Sequence, residues 1–206
     1  NRRSDMIAAV KQGISAHQAL VNDGDPEMKP AEQESHYSLE GLNLSEPLPA
    51  LLDQAERFDR FLRGGRDGPH PGFNLLLYGP PGTGKTAFAR YLARHLDREL
   101  HVKRMSDLRD PYVGMTERRT RHAFDAADRA EAVLLLDEVD ALLFPRDNAG
   151  RSWEVSHTAE LLTAMEGFRG LLVCTTNRLT GIDRAAIRRF THKIGFDYLT
   201  PSGNLS

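Results

Sequence analysis

Cysteine is almost absent from this sequence, with Cys174 as the single example among 206 residues. One thiol cannot form a disulfide within the chain, so we expect a reducing compartment, which favours the cytoplasm. The simplest role for Cys174 is that of a small core residue rather than a reactive thiol. No apolar run approaches the roughly 20 residues of a membrane-spanning helix, and no signal-peptide pattern is present. No membrane partner is therefore expected.

Basic charge is not in excess either, because 27 Lys and Arg residues stand against 29 Asp and Glu residues and give a net charge of −2. That balance makes nucleic acid an unexpected partner. A local basic cluster does occur at Arg118, Arg119 and Arg121. We interpret it as a solvated or inter-subunit face rather than a nucleic-acid patch. A His-Glu-x-x-His motif is missing, so no zinc protease of that type lies in this segment.

The beginning of the chain differs in character from the rest. Residues 5–21 have apolar residues recurring on one helical face, and residues 22–36 are polar and interrupted by glycine and proline, as in a linker. The helix could simply connect, belong to a preceding domain, or dock on the core. We divide the chain into an N-terminal helix and linker at 1–36 and a core domain at 37–206. Since the sequence starts without methionine and stops abruptly, we expect it to be a piece of a longer protein.

Short apolar runs alternate with helical patterns along the remaining chain. Five runs are predicted to be strands, at 73–78, about 100–105, 132–137, 170–175 and 193–198. Helical patterns are found at 47–63, 85–97, 116–130 and 155–166. Buried strands that lack polar alternation and are separated by helices are typical of a parallel sheet covered on both faces. The predicted fold class is therefore α/β.

A glycine-rich loop separates the first predicted strand from the helix at 85–97. It fits G-x-x-x-x-G-K-[ST] at every fixed position and consists of Gly79, Pro80, Pro81, Gly82, Thr83, Gly84, Lys85 and Thr86. Glycines let successive backbone N–H groups point at phosphate oxygens, and the following helix adds the positive end of its dipole. Lys85 is predicted to bind the β- and γ-phosphates of ATP, and Thr86 to offer its hydroxyl to Mg²⁺. The loop predicts nucleotide binding, but by itself it fixes neither hydrolysis nor a task.

Two adjacent carboxylates end the apolar run at 132–137. Asp137 at the strand tip can hold Mg²⁺, through water, and Glu138 can orient or deprotonate the water that attacks the γ-phosphate. Acidic residues can also simply terminate a strand at the surface. Their position about fifty residues after a phosphate loop favours the hydrolytic interpretation. Asp140 follows, and we interpret it as structural.

A further polar strand end and an arginine pair complete the candidate site. Asn177 follows the run at 170–175 and can either begin a turn or hydrogen-bond the attacking water. Asp183 can cap a short helix that carries Arg188 and Arg189 at its end. Paired arginines on a helix are usually solvated, but a guanidinium at a γ-phosphate neutralises transition-state charge. Since this helix should lie too far from its own phosphate loop, delivery would be to a neighbouring subunit.

In this order the motifs resemble those of the AAA ATPases, within the wider AAA+ class, over roughly residues 38–200. Residues 79–86 look like Walker A and residues 134–140 like Walker B, and Asn177 matches the sensor-1 position. Arg188 and Arg189 look like paired arginine fingers, most similar to the katanin and spastin style. The resemblance implies a P-loop NTPase three-layer sandwich with a five-stranded parallel sheet, in the order 5-1-4-3-2 of the predicted strands.

The resemblance also gives a role to residues that chemistry alone leaves open. Tyr112 and Val113 precede a glycine where family members have a loop facing a central pore, so they would grip an extended polypeptide. Taken by itself, Tyr112 could equally be a packed aromatic residue. The segment 145–154 falls where a second pore loop would lie. The helical C-terminal lid of family members has no counterpart here, because the sequence ends near the sheet.

We therefore predict a Mg²⁺-dependent ATPase that works as a homo-oligomer, a hexamer, and that unfolds, remodels or threads protein. One alternative is an AAA+ ATPase acting on nucleic acid, which a steep salt dependence of DNA affinity would favour. The other is a nucleotide-gated scaffold without turnover, against which the intact Asp137-Glu138 pair argues. The sequence names neither the protein substrate nor the pathway.

Overall fold

The structure is a computed structural model, and it describes Leu39 and residues 41–65, 72–108, 114–140, 152–180 and 182–198, with only the backbone at 152–156. The helix predicted at 5–21, the linker at 22–36 and the domain boundary at 36/37 lie outside these residues. None of the helices in the described ranges is both long and apolar enough to cross a lipid bilayer.

Six strands form one mixed sheet in the described ranges. They are β1 (Asn43–Leu44), β2 (Phe73–Tyr78), β3 (Leu100–Arg104), β4 (Val133–Asp137), β5 (Leu171–Thr176) and β6 (His192–Asp197). Their order is β1-β6-β2-β5-β4-β3. Strands β2 to β6 run parallel, and β1 pairs antiparallel with β6. The expectation of five strands in an all-parallel sheet was therefore wrong by one short antiparallel edge strand.

The missed strand is held by distant parts of the chain. Asn43 pairs with Asp197, and Leu44 pairs with Phe196. Just beyond it, the Ser45 N–H donates to the Gly195 carbonyl at 2.9 Å, and the Gly195 N–H donates to the Ser45 hydroxyl at 2.8 Å. Two residues are too few to show any periodicity, so only these contacts across about 150 positions create the strand.

Helices cover both faces of the sheet. They are α1 (Leu48–Arg63), α2 (Lys85–His95), α3 (Met105–Leu108), α4 (Met115–Arg129), α5 (Ser152–Gly167) and α6 (Arg184–Ile187). Two separate cores result, because alternate strand residues point to opposite faces. On one face, α1 and α2 pack against side chains such as Leu75, Leu77 and Val173. On the other, α3 to α6 pack against side chains such as Leu136 and Cys174. This is a three-layer sandwich, and Cys174 is a core residue as predicted.

A buried charge cluster fixes α1 to the edge of the sheet where the parallel strands begin. The Asp59 carboxylate is only 6% exposed and accepts hydrogen bonds from Arg63, at 2.8 Å, and from Arg98. Arg98 is itself buried, with its side chain 4% exposed, and it donates to the Glu131 carbonyl at 2.5 Å. Because Arg98 precedes β3 and Glu131 precedes β4, Asp59 ties the helix to both strands.

Candidate functional site

The carboxyl ends of three neighbouring strands meet at one edge of the sheet. In the register, Tyr78 at the end of β2 lies opposite Thr176 at the end of β5. The Gly79 N–H donates to the Thr176 carbonyl at 3.3 Å, and the Val139 N–H donates to the Thr175 carbonyl at 3.0 Å. These bonds bring the glycine-rich loop, the acidic end of β4 and the polar end of β5 together, at the edge where α/β sheets bind ligands.

The glycine-rich loop adopts a backbone that requires glycine at named positions. Gly79, Gly82 and Gly84 have positive φ angles of 145°, 79° and 89°. At Gly79 a Cβ would also lie 1.9 Å from the carbonyl oxygen of Phe196 in β6, so no side chain fits there. Gly84 precedes the first turn of α2, whose N-terminus opens toward the loop. The loop thus presents backbone N–H groups and a helix N-terminus to one place, which suits a phosphate group.

Lys85 supplies a cation in the middle of this loop. The residue is buried, and its Nζ donates to the carbonyls of Gly79 and Pro80, at 2.7 Å each. Burial lowers the pKa of the Lys85 ammonium from its ordinary value, and the nearby charges of Asp137 and Asp140 partly oppose that shift. Because the buried ammonium has lost part of its hydration, binding an anion such as a phosphate group beside it would be favourable.

Thr86 and Asp137 form an oxygen-rich pair beside Lys85. The Thr86 Oγ1 lies 3.2 Å from Asp137 Oδ1 and 3.3 Å from Oδ2. A hydroxyl and a carboxylate are ligands suited to a hard cation such as Mg²⁺, which commonly uses few protein ligands together with substrate phosphates and water. The described residues contain no cluster of three or more His, Cys, Asp or Glu side chains that could hold a metal. The pair thus fits Mg²⁺ that arrives with a nucleotide.

Glu138 is exposed and has a backbone that is unusual for a residue with a side chain. Its φ is 59°, in the left-handed region. Its N–H donates to the Thr175 hydroxyl at 3.0 Å, and the same hydroxyl donates to the Asp137 carboxylate. The Thr176 hydroxyl contacts the Asp140 carboxylate, which supports the structural role expected for Asp140.

The two threonines of β5 were not identified as site residues from the sequence. Thr175 and Thr176 are 2% and 1% exposed, and each has a hydroxyl in contact with a carboxylate of the β4 segment. The available signal was that a strand of apolar residues becomes polar at its carboxyl end. Asn177 directly follows them and is exposed at the same edge. Its contact with an attacking water stays a prediction.

The arginine pair lies at the other end of the sheet. Asp183 caps α6 as predicted, accepting from the Ala185 N–H at 2.9 Å, and Arg188 and Arg189 follow the helix. The Arg189 carbonyl accepts from the Asn74 Nδ2 at 2.9 Å, near the start of β2. Because a strand rises about 3.3 Å per residue, the five steps from Asn74 to Gly79 span about 16 Å. The structure does not bring the arginines to the phosphate loop of the same chain.

The two arginines differ in their surroundings. Arg188 is exposed, and its guanidinium makes no hydrogen bond or ion pair to the described part of the chain. Arg189 is 26% exposed in its side chain, pairs with Glu166 at 2.5 Å and donates to the Ala185 carbonyl at 2.5 Å. Arg188 is therefore available to another molecule, whereas Arg189 is occupied within its own subunit.

The predicted pore residues Tyr112 and Val113 lie outside the described residues. The same is true of most of the segment 145–154, whose last three residues form the first turn of α5. In the basic cluster, Arg119 donates to the Asp107 carbonyl at 3.2 Å, and Arg121 pairs with Glu160 of α5 at 2.7 Å. Two of its three members thus have partners within the chain.

The fold and the loop define a P-loop nucleotide-binding domain. A family model described as "ATPase family associated with various cellular activities (AAA)" matches residues 75–198, which is more than half of the chain. The chain belongs to the AAA family and is an ATPase domain of that family.

Curated relatives support this assignment. A proteasome-activating nucleotidase of Methanoculleus marisnigri is 38% identical over 149 residues, which are 68% of this chain and 36% of the relative. A 26S proteasome regulatory subunit 8 homolog of Schizosaccharomyces pombe is 38% identical over 133 residues, 59% of this chain and 33% of the relative. An ATP-dependent zinc metalloprotease FtsH 1 of Alkaliphilus metalliredigens is 36% identical over 154 residues, 70% of this chain and 26% of the relative. The chain therefore spans about a third or less of these relatives.

Proposed function

We propose that this chain is the Mg²⁺-dependent, ATP-hydrolysing core of a homo-oligomeric ring, a hexamer, that unfolds, remodels or threads protein. The observation that carries this proposal is the division of the catalytic groups between two ends of the sheet. Lys85, Thr86, Asp137 and Glu138 meet at the carboxyl edge. The exposed Arg188 precedes Arg189, whose carbonyl binds Asn74 near the start of β2, and Asn74 is about 16 Å from Gly79 along the strand. One subunit then holds the phosphates, and the next completes the site.

Each group at the carboxyl edge has a distinct task in this proposal. The loop amides and Lys85 bind the phosphate oxygens, and Thr86 and Asp137 hold the metal ion. When bound, Mg²⁺ neutralises charge on the β- and γ-phosphates. Glu138 accepts the proton of the attacking water, and Asn177 orients that water. The exposed position of Glu138, next to the metal-binding carboxylate, supports its role as the base.

A neighbour's arginine supplies the remaining positive charge. Arginine fingers accelerate phosphoryl transfer by roughly 10³–10⁵-fold in GTPases because they stabilise charge in the transition state. Arg188 suits this task, since it is exposed and uncommitted in the described part of its own chain. The katanin and spastin style of finger would use both arginines, but Arg189 is paired with Glu166, so we assign the contact with phosphate to Arg188.

Mixing two inactive variants tests this arrangement. Glu138→Gln should bind ATP and barely turn over, and Arg188→Ala should lose hydrolysis only in assembled rings. In a closed ring mixed at random from equal amounts, roughly a quarter of the sites combine an intact Glu138 with a neighbour's intact Arg188. Phosphate release should therefore return to about a quarter of the wild-type rate on mixing.

Several results of this experiment would refute parts of the proposal. Normal turnover by Glu138→Gln refutes its role as the base. A mixture as inactive as its parents, in assemblies shown by particle mass to be mixed rings, refutes delivery between subunits. Assembled rings that hydrolyse ATP equally well with and without Arg188 refute the finger itself.

The names of the relatives guide the choice of substrate. Two carry "proteasome" in their names and a third is a metalloprotease, so each is named for a machine that acts on protein. We extend that class to this chain, with Tyr112 and Val113 as the residues that grip the polypeptide. Stimulation of the full-length ATPase by an unfolded protein, lost in Tyr112→Ala, is the expected result. Stimulation by DNA with steep salt dependence would favour the nucleic-acid alternative instead.

A further inference from the structure

Thr175 connects three consecutive residues at the acidic end of β4. Its hydroxyl donates to the Asp137 carboxylate and accepts from the Glu138 N–H at 3.0 Å. Its carbonyl accepts from the Val139 N–H at 3.0 Å. A threonine hydroxyl has one proton to donate and lone pairs to accept with, so the side chain uses both capacities here.

The contact with Glu138 falls at a strained point of the backbone. A φ of 59° is uncommon for a residue other than glycine and persists where the surroundings hold it. The hydrogen bond from the Glu138 N–H to the Thr175 hydroxyl is one of the contacts that fix this peptide. Since the backbone angle decides where the Glu138 side chain starts, the hydroxyl also helps to set the direction in which its carboxylate leaves the strand.

Packing alone does not require a hydroxyl at this position. Thr175 lies opposite Leu77 of β2 in the register, on the sheet face that carries Leu75 and Val173. A valine would have nearly the same shape there and would suit a buried strand. The chain nevertheless has a threonine, which is 2% exposed and has both of its hydrogen-bonding capacities directed at Asp137 and Glu138.

We propose that Thr175 is a positioning residue for hydrolysis, which holds the Asp137 carboxylate and the Glu138 backbone in the arrangement that catalysis needs. This inference rests on the proposed roles of Asp137 and Glu138 and adds a residue outside the phosphate loop and the acidic pair. Thr175 is only 2% exposed, and its hydroxyl contacts Asp137 and Glu138. It acts on turnover through its two neighbours, and ATP binding by the loop around Lys85 does not depend on it.

Two substitutions separate the hydroxyl from the shape of the side chain. Thr175→Val removes the hydroxyl and keeps the volume, and Thr175→Ser keeps the hydroxyl. In the full-length protein we expect Thr175→Val to lower kcat on the order of 10- to 100-fold, as small misplacements of catalytic groups do. The KM for ATP should change little, and Thr175→Ser should restore most of the rate.

A second measurement reports on the geometry without turnover. Backbone amide exchange, followed by NMR, should be slow at Glu138 in the wild type and in Thr175→Ser, and clearly faster in Thr175→Val. Particle mass should be the same for all three proteins, so that a change in assembly does not mimic a change in rate. Thr176→Val serves as a neighbouring control, since its hydroxyl contacts Asp140 rather than Glu138 and should leave the Glu138 amide protected.

The outcomes distinguish this inference from the proposed function. A wild-type kcat in Thr175→Val, or an equal loss in Thr175→Ser, overturns the positioning role. Fast exchange at Glu138 in the wild type overturns the hydrogen bond on which that role depends. Full activity of Glu138→Gln would instead overturn the proposed function, whatever the exchange experiment gives.

Discussion

The adjacent arginines after α6 should respond to substitution in opposite ways. Replacing Arg188 with alanine removes an exposed side chain that has no partner in the described part of its own chain. Such a change alters stability by less than about 0.5 kcal/mol. If Arg188 reaches a neighbour's phosphate, the same change lowers kcat by about 10³-fold or more. Arg188→Ala should thus be well folded and nearly inactive.

Arg189→Ala should have a structural cost that Arg188→Ala lacks. The substitution removes the ion pair with Glu166 and the hydrogen bond to the Ala185 carbonyl. Glu166 is 59% exposed, which keeps the pair weak. The buried Arg189 Nε has no hydrogen-bond partner within the described ranges, which lowers the stabilisation by this side chain further. We estimate a loss of about 1 kcal/mol, from one hydrogen bond to a charged group, less the screening. For a domain of this size that lowers the Tm by about 2–4 °C.

Thermal unfolding and ATPase assays on the same preparations measure both effects. A double-mutant cycle with Glu166→Ala should give a coupling energy of about 0.5–1 kcal/mol to Arg189 and none to Arg188. Arg189→Ala should keep more activity than Arg188→Ala at a temperature where both are folded. Equal losses of activity with unchanged melting temperatures would show that both arginines act at the phosphate, and would refute the division of roles.

Three further predictions concern the scaffold and the phosphate loop. Gly79→Ala should be much more destabilising in urea unfolding than Gly82→Ala, because a Cβ meets a backbone oxygen at the first position and open space at the second; similar losses would contradict this. Lys85→Met should abolish ATP binding, as measured by calorimetry. In the wild type, Lys85 is protonated only in the unfolded state between its lowered folded-state pKa and 10.5, so the free energy of unfolding rises with pH in that range. Lys85→Met should flatten this rise. Asp59→Ala should cost up to about 3–5 kcal/mol, because the buried Arg98 side chain would lose its closer carboxylate and keep the exposed Glu131 carboxylate at 3.5 Å. A loss below about 1 kcal/mol would refute the buried cluster.

The sequence predicted most of the core domain because its signals are local. The apolar runs became strands within one or two residues of their expected limits, and the helix predicted at 47–63 is Leu48–Arg63. What it missed is short and depends on distant contacts. Strand β1 has two residues, and α3 has four, directly after β3. Neither is long enough for a periodic pattern, and β1 exists only because Phe196 and Asp197 lie beside it.

In the candidate site too, some residues belong to sequence motifs, whereas others are defined only by contacts in the folded domain. The phosphate loop has a fixed spacing in the sequence and the acidic pair ends a predicted strand, so roles for Lys85 and Asp137 could be predicted from the pattern. The hydroxyl of Thr175 has no such spacing, since it reaches Asp137 across the sheet from another strand. The contrast between Arg188 and Arg189 was also hidden, because Glu166 lies 23 positions upstream and meets Arg189 only in the folded domain.

Strand β2 joins the two halves of the proposed machine. It is hydrogen-bonded on one side to β5 and on the other to β6, so it is an interior strand of the sheet, held along both edges. One end bears the nucleotide loop, and the other holds the arginine segment through Asn74 and Thr191. In the proposed ring, the length of β2 would therefore help to set the distance between consecutive ATP sites. A tilt of one subunit would move its own phosphate loop together with its own Arg188, which completes the ATP site of the neighbouring subunit.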